Sequence, residues 1–162
     1  MIERLLLDTT YLLPMLGIRV KGLMSYRKYI GKILDMYSVY YHPVSLIESK
    51  WELLHLARRI DAEALDTVFS RYRQGLNFIL KSGKLIQLRF TGPEVEEEVD
   101  YLIGNGYRDY FDLLIFSTAY VEDLTLVTED NELRRIPGEF KRYEGMNIVN
   151  WSELIRLVGE FK

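Results

Sequence analysis

Four acidic residues border apolar runs instead of charged stretches. They are Asp8 in Arg4-Leu5-Leu6-Leu7-Asp8-Thr9-Thr10, Glu48 in Val44-Ser45-Leu46-Ile47-Glu48-Ser49, Asp112 in Tyr110-Phe111-Asp112-Leu113-Leu114-Ile115, and Asp130 in Leu126-Val127-Thr128-Glu129-Asp130-Asn131. A carboxylate beside a buried segment is not freely hydrated and needs a partner or a metal. Brought together, four such groups repel one another unless a hard divalent cation holds them. Oxygen-only donors suit Mg²⁺ or Mn²⁺. The pattern points to metal-dependent chemistry on phosphodiesters.

Each acid also has a plainer reading. Asp8 and Asp112 sit where a side chain caps a helix or meets its dipole. Asp130 reads as an Asp-Asn turn, and Glu48 as a surface glutamate. Their joint placement at strand ends and helix starts favours the shared site. Thr128 lies two residues before Asp130 and points to the same side of its strand. Asp109, three residues before Asp112, is a further candidate for the cluster. Glu129 alternates away and is expected to face solvent, with a supporting role left open.

The elements that must position these groups alternate short apolar strands with longer helices, as in a parallel sheet with crossover helices. Strands are expected at Leu5–Asp8, within Val39–Val44, at Leu85–Leu88, at Leu124–Thr128 and at Ile148–Val149. A short helix capped by Thr9 or Thr10 should run to Leu16. Further helices are expected over Ser25–Ser38, Leu46–Arg59, Asp61–Leu80, Asp112–Tyr120 and Ser152–Val158, the last capped by Ser152. The second of these carries Ile47, Trp51, Leu54 and Arg58 down one side. Thr91 with Glu94 reads as a capping box opening a helix to about Ile103. No element is assigned between Thr128 and Ile148, and the whole chain reads as one domain over 1–162.

The remaining composition is permissive. The chain has 162 residues, 48% hydrophobic and 28% charged, an ordinary globular balance. Cysteine is absent, which excludes disulfides, zinc–thiolate sites and cysteine nucleophiles. His42 and His55 read as structural. Glu94, Glu96, Glu97 and Glu98 read as a solvated helix face. The net charge of −3 argues against an indiscriminate nucleic-acid coat. Arg134-Arg135 and Lys141-Arg142 are candidate phosphate contacts. Met1-Ile2-Glu3-Arg4 lacks the form of a secretory signal and no run reaches membrane-spanning length, so a cytoplasmic protein is expected.

The four segments, with Leu7-Asp8-Thr9-Thr10 first and Leu126-Val127-Thr128-Glu129-Asp130 last, resemble in order and spacing the PIN-domain ribonucleases, most closely VapC-type toxins. The resemblance covers residues 5 to about 133. It implies a three-layer α/β/α fold with strand order 3-2-1-4-5, Mg²⁺- or Mn²⁺-dependent cleavage of RNA, a homodimer, and a co-expressed antitoxin. It also places Asp8, Glu48, Asp112 and Asp130 in the catalytic site. Asp8, Asp112 and Asp130 are the expected metal ligands, with Thr9 or Thr128 orienting a carboxylate or contacting phosphate. Gly17–Tyr41 and Asp61–Leu80 are longer than in compact toxins. The alternatives are an RNA-processing nuclease that is not a toxin, and a PIN-like module that binds RNA or protein without cutting. A haloacid-dehalogenase-type phosphatase needs a second aspartate two residues after the first, and Thr10 stands there.

Overall fold

Leu5, Leu6 and Leu7 are all completely buried, as the central strand of a sheet covered on both faces requires. They belong to β1 (Arg4–Leu7), the middle of a five-stranded parallel sheet that also contains β2 (Ser38–Tyr41), β3 (Leu85–Gln87), β4 (Thr125–Val127) and β5 (Ile148–Val149). The order is β3-β2-β1-β4-β5, with Leu6 paired to Tyr40 on one side and to Leu126 on the other. This is the expected PIN-like α/β/α arrangement. The computed structural model describes residues 3–160, so the ends of the domain expected over 1–162 lie outside the described residues.

Among the described residues, α-helices connect and follow the strands: α1 (Thr9–Leu12), α2 (Tyr26–Met36), α3 (Pro43–Ala57), α4 (Ala62–Lys81), α5 (Pro93–Gly104), α6 (Tyr110–Val121), α7 (Asn131–Glu139) and, after β5, α8 (Trp151–Glu160). Strand side chains alternate between faces, and two cores result. Leu5 and Leu7 join Tyr11, Ile33, Tyr72 and Trp151, from α1, α2, α4 and α8. Leu6 and Leu126 join Val99, Leu114 and Ile136, from α5, α6 and α7. None of the described helices is long and apolar enough to cross a membrane.

Several local expectations change. Asp8, not Thr9 or Thr10, caps α1, which ends at Leu12. The third helix begins at Pro43, capped by His42, because proline's fixed φ and missing N–H suit the first helical position. His42 Nδ1 accepts from Val44 N–H, so Nε2 donates to the Phe90 carbonyl, and burial holds the imidazole down at about 4. Ile47, Trp51 and Leu54 do align, yet that side faces solvent; the buried line is Val44, Ser45, Ser49 and Leu53. Thr91 does not cap α5, since Gly92 takes that place and Thr91 Oγ1 donates to Glu96. Asn150 and Glu153, not Ser152, form the reciprocal cap of α8. Helix α7 lies where no element is expected, and Pro137 inside its last turn forfeits one backbone hydrogen bond without ending it.

Glu98 departs from the expected solvated face. It falls on the buried stripe of α5 with Val95, Val99 and Leu102. Arg142 donates to its carboxylate at 2.9 Å and Tyr143 Oη at 2.8 Å, which offsets the burial. Arg142 is therefore engaged, as is Arg134, which pairs with Glu153 at 3.1 Å. Two of the four basic candidates after Asp130, Arg134 and Arg142, are thus structural.

At Gly75, α4 passes against the loop after α1. A Cβ placed there would lie 2.1 Å from the Met15 carbonyl oxygen and 2.7 Å from Leu16 Cα. Both are backbone atoms that cannot swing aside. Gly75→Ala is expected to lower thermal stability by about 1–3 kcal/mol or more through overpacking. A melting temperature equal to the parent's would contradict that close approach.

Candidate functional site

The switch point of the sheet lies between β1 and β4, where connections leave in opposite directions and α/β proteins bind ligands. Asp8 stands directly after β1, and its backbone N–H donates to the Val127 carbonyl at 3.1 Å. Its Oδ1 accepts from Thr9 N–H and its Oδ2 from Thr128 Oγ1, both at 2.6 Å. Thr128 Oγ1 in turn accepts from Asp130 N–H at 3.0 Å. Thr9 Oγ1 donates to Glu48 Oε2, tying α3 to α1. A continuous chain therefore runs from Asp130 through Thr128, Asp8 and Thr9 to Glu48.

The plainer readings coexist with this arrangement. Asp130 caps α7, its Oδ1 accepting from Glu132 N–H at 2.6 Å and Leu133 N–H at 3.0 Å. Asp112 does not open its helix, because Asp109 caps α6 through Phe111 and Asp112 N–H. No hydrogen bond among the described residues engages the Asp112 carboxylate. Glu129 is exposed as expected, but it also accepts from Tyr11 Oη at 2.8 Å and Trp151 N–H at 2.9 Å. It thus pins α1 to α8 beside the site. That role was not legible from alternation along the strand, because its partners are distant in sequence.

Electrostatics place the four acids in one neighbourhood. Burial pushes the Asp112 carboxyl up to about 8, reinforced by the charges of Asp8, Asp109, Asp130 and Glu48. Burial also raises Asp8, against the hydrogen bonds from Thr128 and Thr9, and Asp130 and Glu129 add to the rise. Glu48 is raised by burial, opposed by its Thr9 bond and aided by Asp8, Asp109 and Glu52. Asp109 thus belongs electrostatically to the cluster. No cationic side chain is among the largest influences on Asp8, Glu48 or Asp112.

The donor set fits a hard divalent cation: all oxygen, with free acceptor capacity on Asp112, on Asp130 Oδ2 and on Glu48 Oε1. Among the described residues, no three acids already stand close enough together to enclose an ion.

The raised carboxyls predict a sign for pH dependence. Asp112 keeps its proton up to about pH 8 in the folded state, while the unfolded chain loses it near 3.8. The folded state binds more protons in between, so this contribution is complete below the lower value and lost as pH rises through the upper one. Metal-free protein is expected to melt at lower temperature at pH 8.5 than at pH 5.5, and Asp112→Asn should flatten the difference. Calorimetry in chelator checks this, and a rise in stability across that window in the parent would contradict it.

With this geometry in place, comparison with known proteins is direct. A family model described as PIN domain matches residues 5–139, so the chain belongs to the PIN domain family. No curated protein matches the sequence. Among solved structures, the chain is similar to PAE2754 from Pyrobaculum aerophilum, at 16% identity and TM-score 0.62, over 98% of this chain and 96% of that one. It is similar to VapBC2 from Rickettsia felis bound to a DNA fragment from their promoter, at 20% identity and TM-score 0.57, over 91% and 98%. FitAcB from Neisseria gonorrhoeae matches at 18% identity and TM-score 0.57, also over 91% and 98%. At these identities the structures speak to the fold.

Proposed function

We propose that this member of the PIN domain family is a single-domain, metal-dependent ribonuclease whose centre is Asp8, Glu48, Asp112 and Asp130. PIN domains are generally nucleases. The observation that carries the reading is the set of carboxyls raised by burial and by one another's charge at the sheet's switch point, Asp8, Glu48 and Asp112, the last held up at about 8. Groups so perturbed cluster at functional sites.

Asp8, Asp112 and Asp130 would hold Mg²⁺ or Mn²⁺, with Glu48 completing the cluster. When bound, such an ion supplies a water of lowered pKa and positive charge against the scissile phosphate. The chain's own groups set the geometry. Thr128 Oγ1 and Thr9 N–H fix both Asp8 oxygens, and Thr9 Oγ1 orients Glu48. The cap of α7 engages Oδ1 of Asp130 and leaves its Oδ2 without a hydrogen bond among the described residues.

A toxin role in a VapBC-type pair is the finer reading, supported by the likeness to VapBC2 and FitAcB. The partner would then be an antitoxin presenting an arginine, which pairs with two carboxylate oxygens at once and competes with the metal. We also propose a cytoplasmic homodimer. A binding module without catalysis is the second reading, favoured by the spacing of the acids short of enclosing an ion. Two experiments separate these. A mixed RNA pool should be cut only with Mg²⁺ or Mn²⁺, and no cleavage despite metal binding would favour the module. Expression of the chain alone should slow growth and Asp8→Ala should abolish the effect; harmless expression of an RNA-cutting chain would leave a housekeeping nuclease.

A further inference from the structure

Helix α3 leaves the acidic centre carrying two adjacent stripes that the proposed chemistry does not use. The first continues from Glu48 at helical spacing through Glu52 and His55 and leads to Arg59 in the turn that follows the helix. The loop after α1 faces its far end, and together they form a groove of about 620 Å³ whose lining includes Arg19, Glu52, His55 and Arg59 beside the apolar Ile18 and Leu56. No salt bridge among the described residues engages Arg19 or Arg59, and with Glu52 as the acid in the groove's lining the two arginines leave it a small positive balance.

The second stripe is Ile47, Trp51 and Leu54, exposed by 41%, 54% and 44%. Trp51 lies one turn from Glu48 on neighbouring faces of the helix. Its ring meets that of Phe111 at 5.6 Å between centroids and 41° between planes. Phe111 immediately precedes Asp112. The aromatic pair is therefore attached to two of the four acids, one through each helix.

A polymer whose scissile phosphate sits at the acids must pass its neighbouring nucleotides over these surfaces. We propose that α3 is a track for single-stranded RNA, with an unpaired base stacked on Trp51 beside Phe111 and the flanking phosphates drawn into the groove of Arg19, His55 and Arg59. This rests on the ribonuclease reading. Base-on-aromatic stacking and a basic groove along the backbone are the two devices by which proteins hold single strands without reading sequence. A duplex keeps its bases stacked within the helix and cannot offer one to Trp51. Glu52 interrupts the basic run and keeps the groove's net charge modest.

The chain contains two tryptophans, and Trp151 is 1% exposed, so Trp51 alone reports on bound bases. Tryptophan emission of the full chain is titrated in Ca²⁺ with a single strand of roughly eight nucleotides and with the same sequence as a duplex. The single strand should quench emission and the duplex should not. Read by the anisotropy of an end-labelled strand, which does not depend on the tryptophan, Trp51→Ala should weaken single-strand affinity roughly 5- to 150-fold, with Trp51→Phe retaining most of it. The Arg19→Ala/Arg59→Ala double variant should reduce the slope of log affinity against log salt by about 1.4, the share of two phosphates on a single strand. Unchanged affinity and salt slope in these variants, with RNA still cut by the parent, would overturn the track and leave the nuclease. Binding lost as described, with no cleavage by the parent, would uphold the track and remove the nuclease. If Trp51→Ala instead turns a dimer into a monomer in sedimentation with RNA affinity intact, the surface is a subunit contact and the track is wrong.

Discussion

Asp112→Asn is expected to lower metal-dependent RNA cleavage by at least about a hundredfold, the upper end of what removing a mere supporting contact to a metal site costs. The substitution is nearly isosteric, and the carboxylate it replaces makes no hydrogen bond among the described residues, so the fold loses nothing. It also removes a group that burial and four neighbouring carboxylates press toward neutrality. Metal-free Asp112→Asn should therefore be at least as stable as the parent at neutral pH. The two effects run in opposite directions, which separates a site residue from a structural one. Activity retained in the variant would indicate a contaminating nuclease or a site that does not include Asp112. Activity lost together with stability would indicate damage to the fold.

The sheet was legible because its strands are short apolar runs bounded by turns, and because Leu5-Leu6-Leu7 admits burial on both faces. The four acids were legible for the same reason, each being tied to the end of such a run. Less was readable where partners lie far apart in sequence. Glu98 sits in an acidic run, and only the approach of Arg142 and Tyr143, some forty-five positions on, makes it a buried group. Arg134 likewise read as free to meet phosphate until Glu153 was brought beside it. Helical periodicity found the apolar side of α3 but could not show that Ser45 and Ser49, not Trp51, face the core. The threonines Thr9 and Thr128 were expected as supports, and their bonds to Glu48 and Asp8 give that expectation a geometry. The caps were misplaced by one or two residues where several candidates stand together, as at Asp8-Thr9-Thr10 and Asn150-Trp151-Ser152.

The central claim is that the four carboxylates form one divalent-cation site, and calorimetric titration with Mn²⁺ addresses it without reference to any substrate. Asp8 is the anchor, because it links β1 to Thr128 and hence to Asp130, and both of its oxygens are held in place by donors from the chain. Replacing it by asparagine removes a negative charge and one donor oxygen while keeping the shape. The account predicts that the parent binds Mn²⁺, and that Asp8→Asn and Asp130→Asn each weaken binding at least about tenfold while melting no lower than the parent in chelator. Mn²⁺ affinity equal to the parent's in both variants would contradict it.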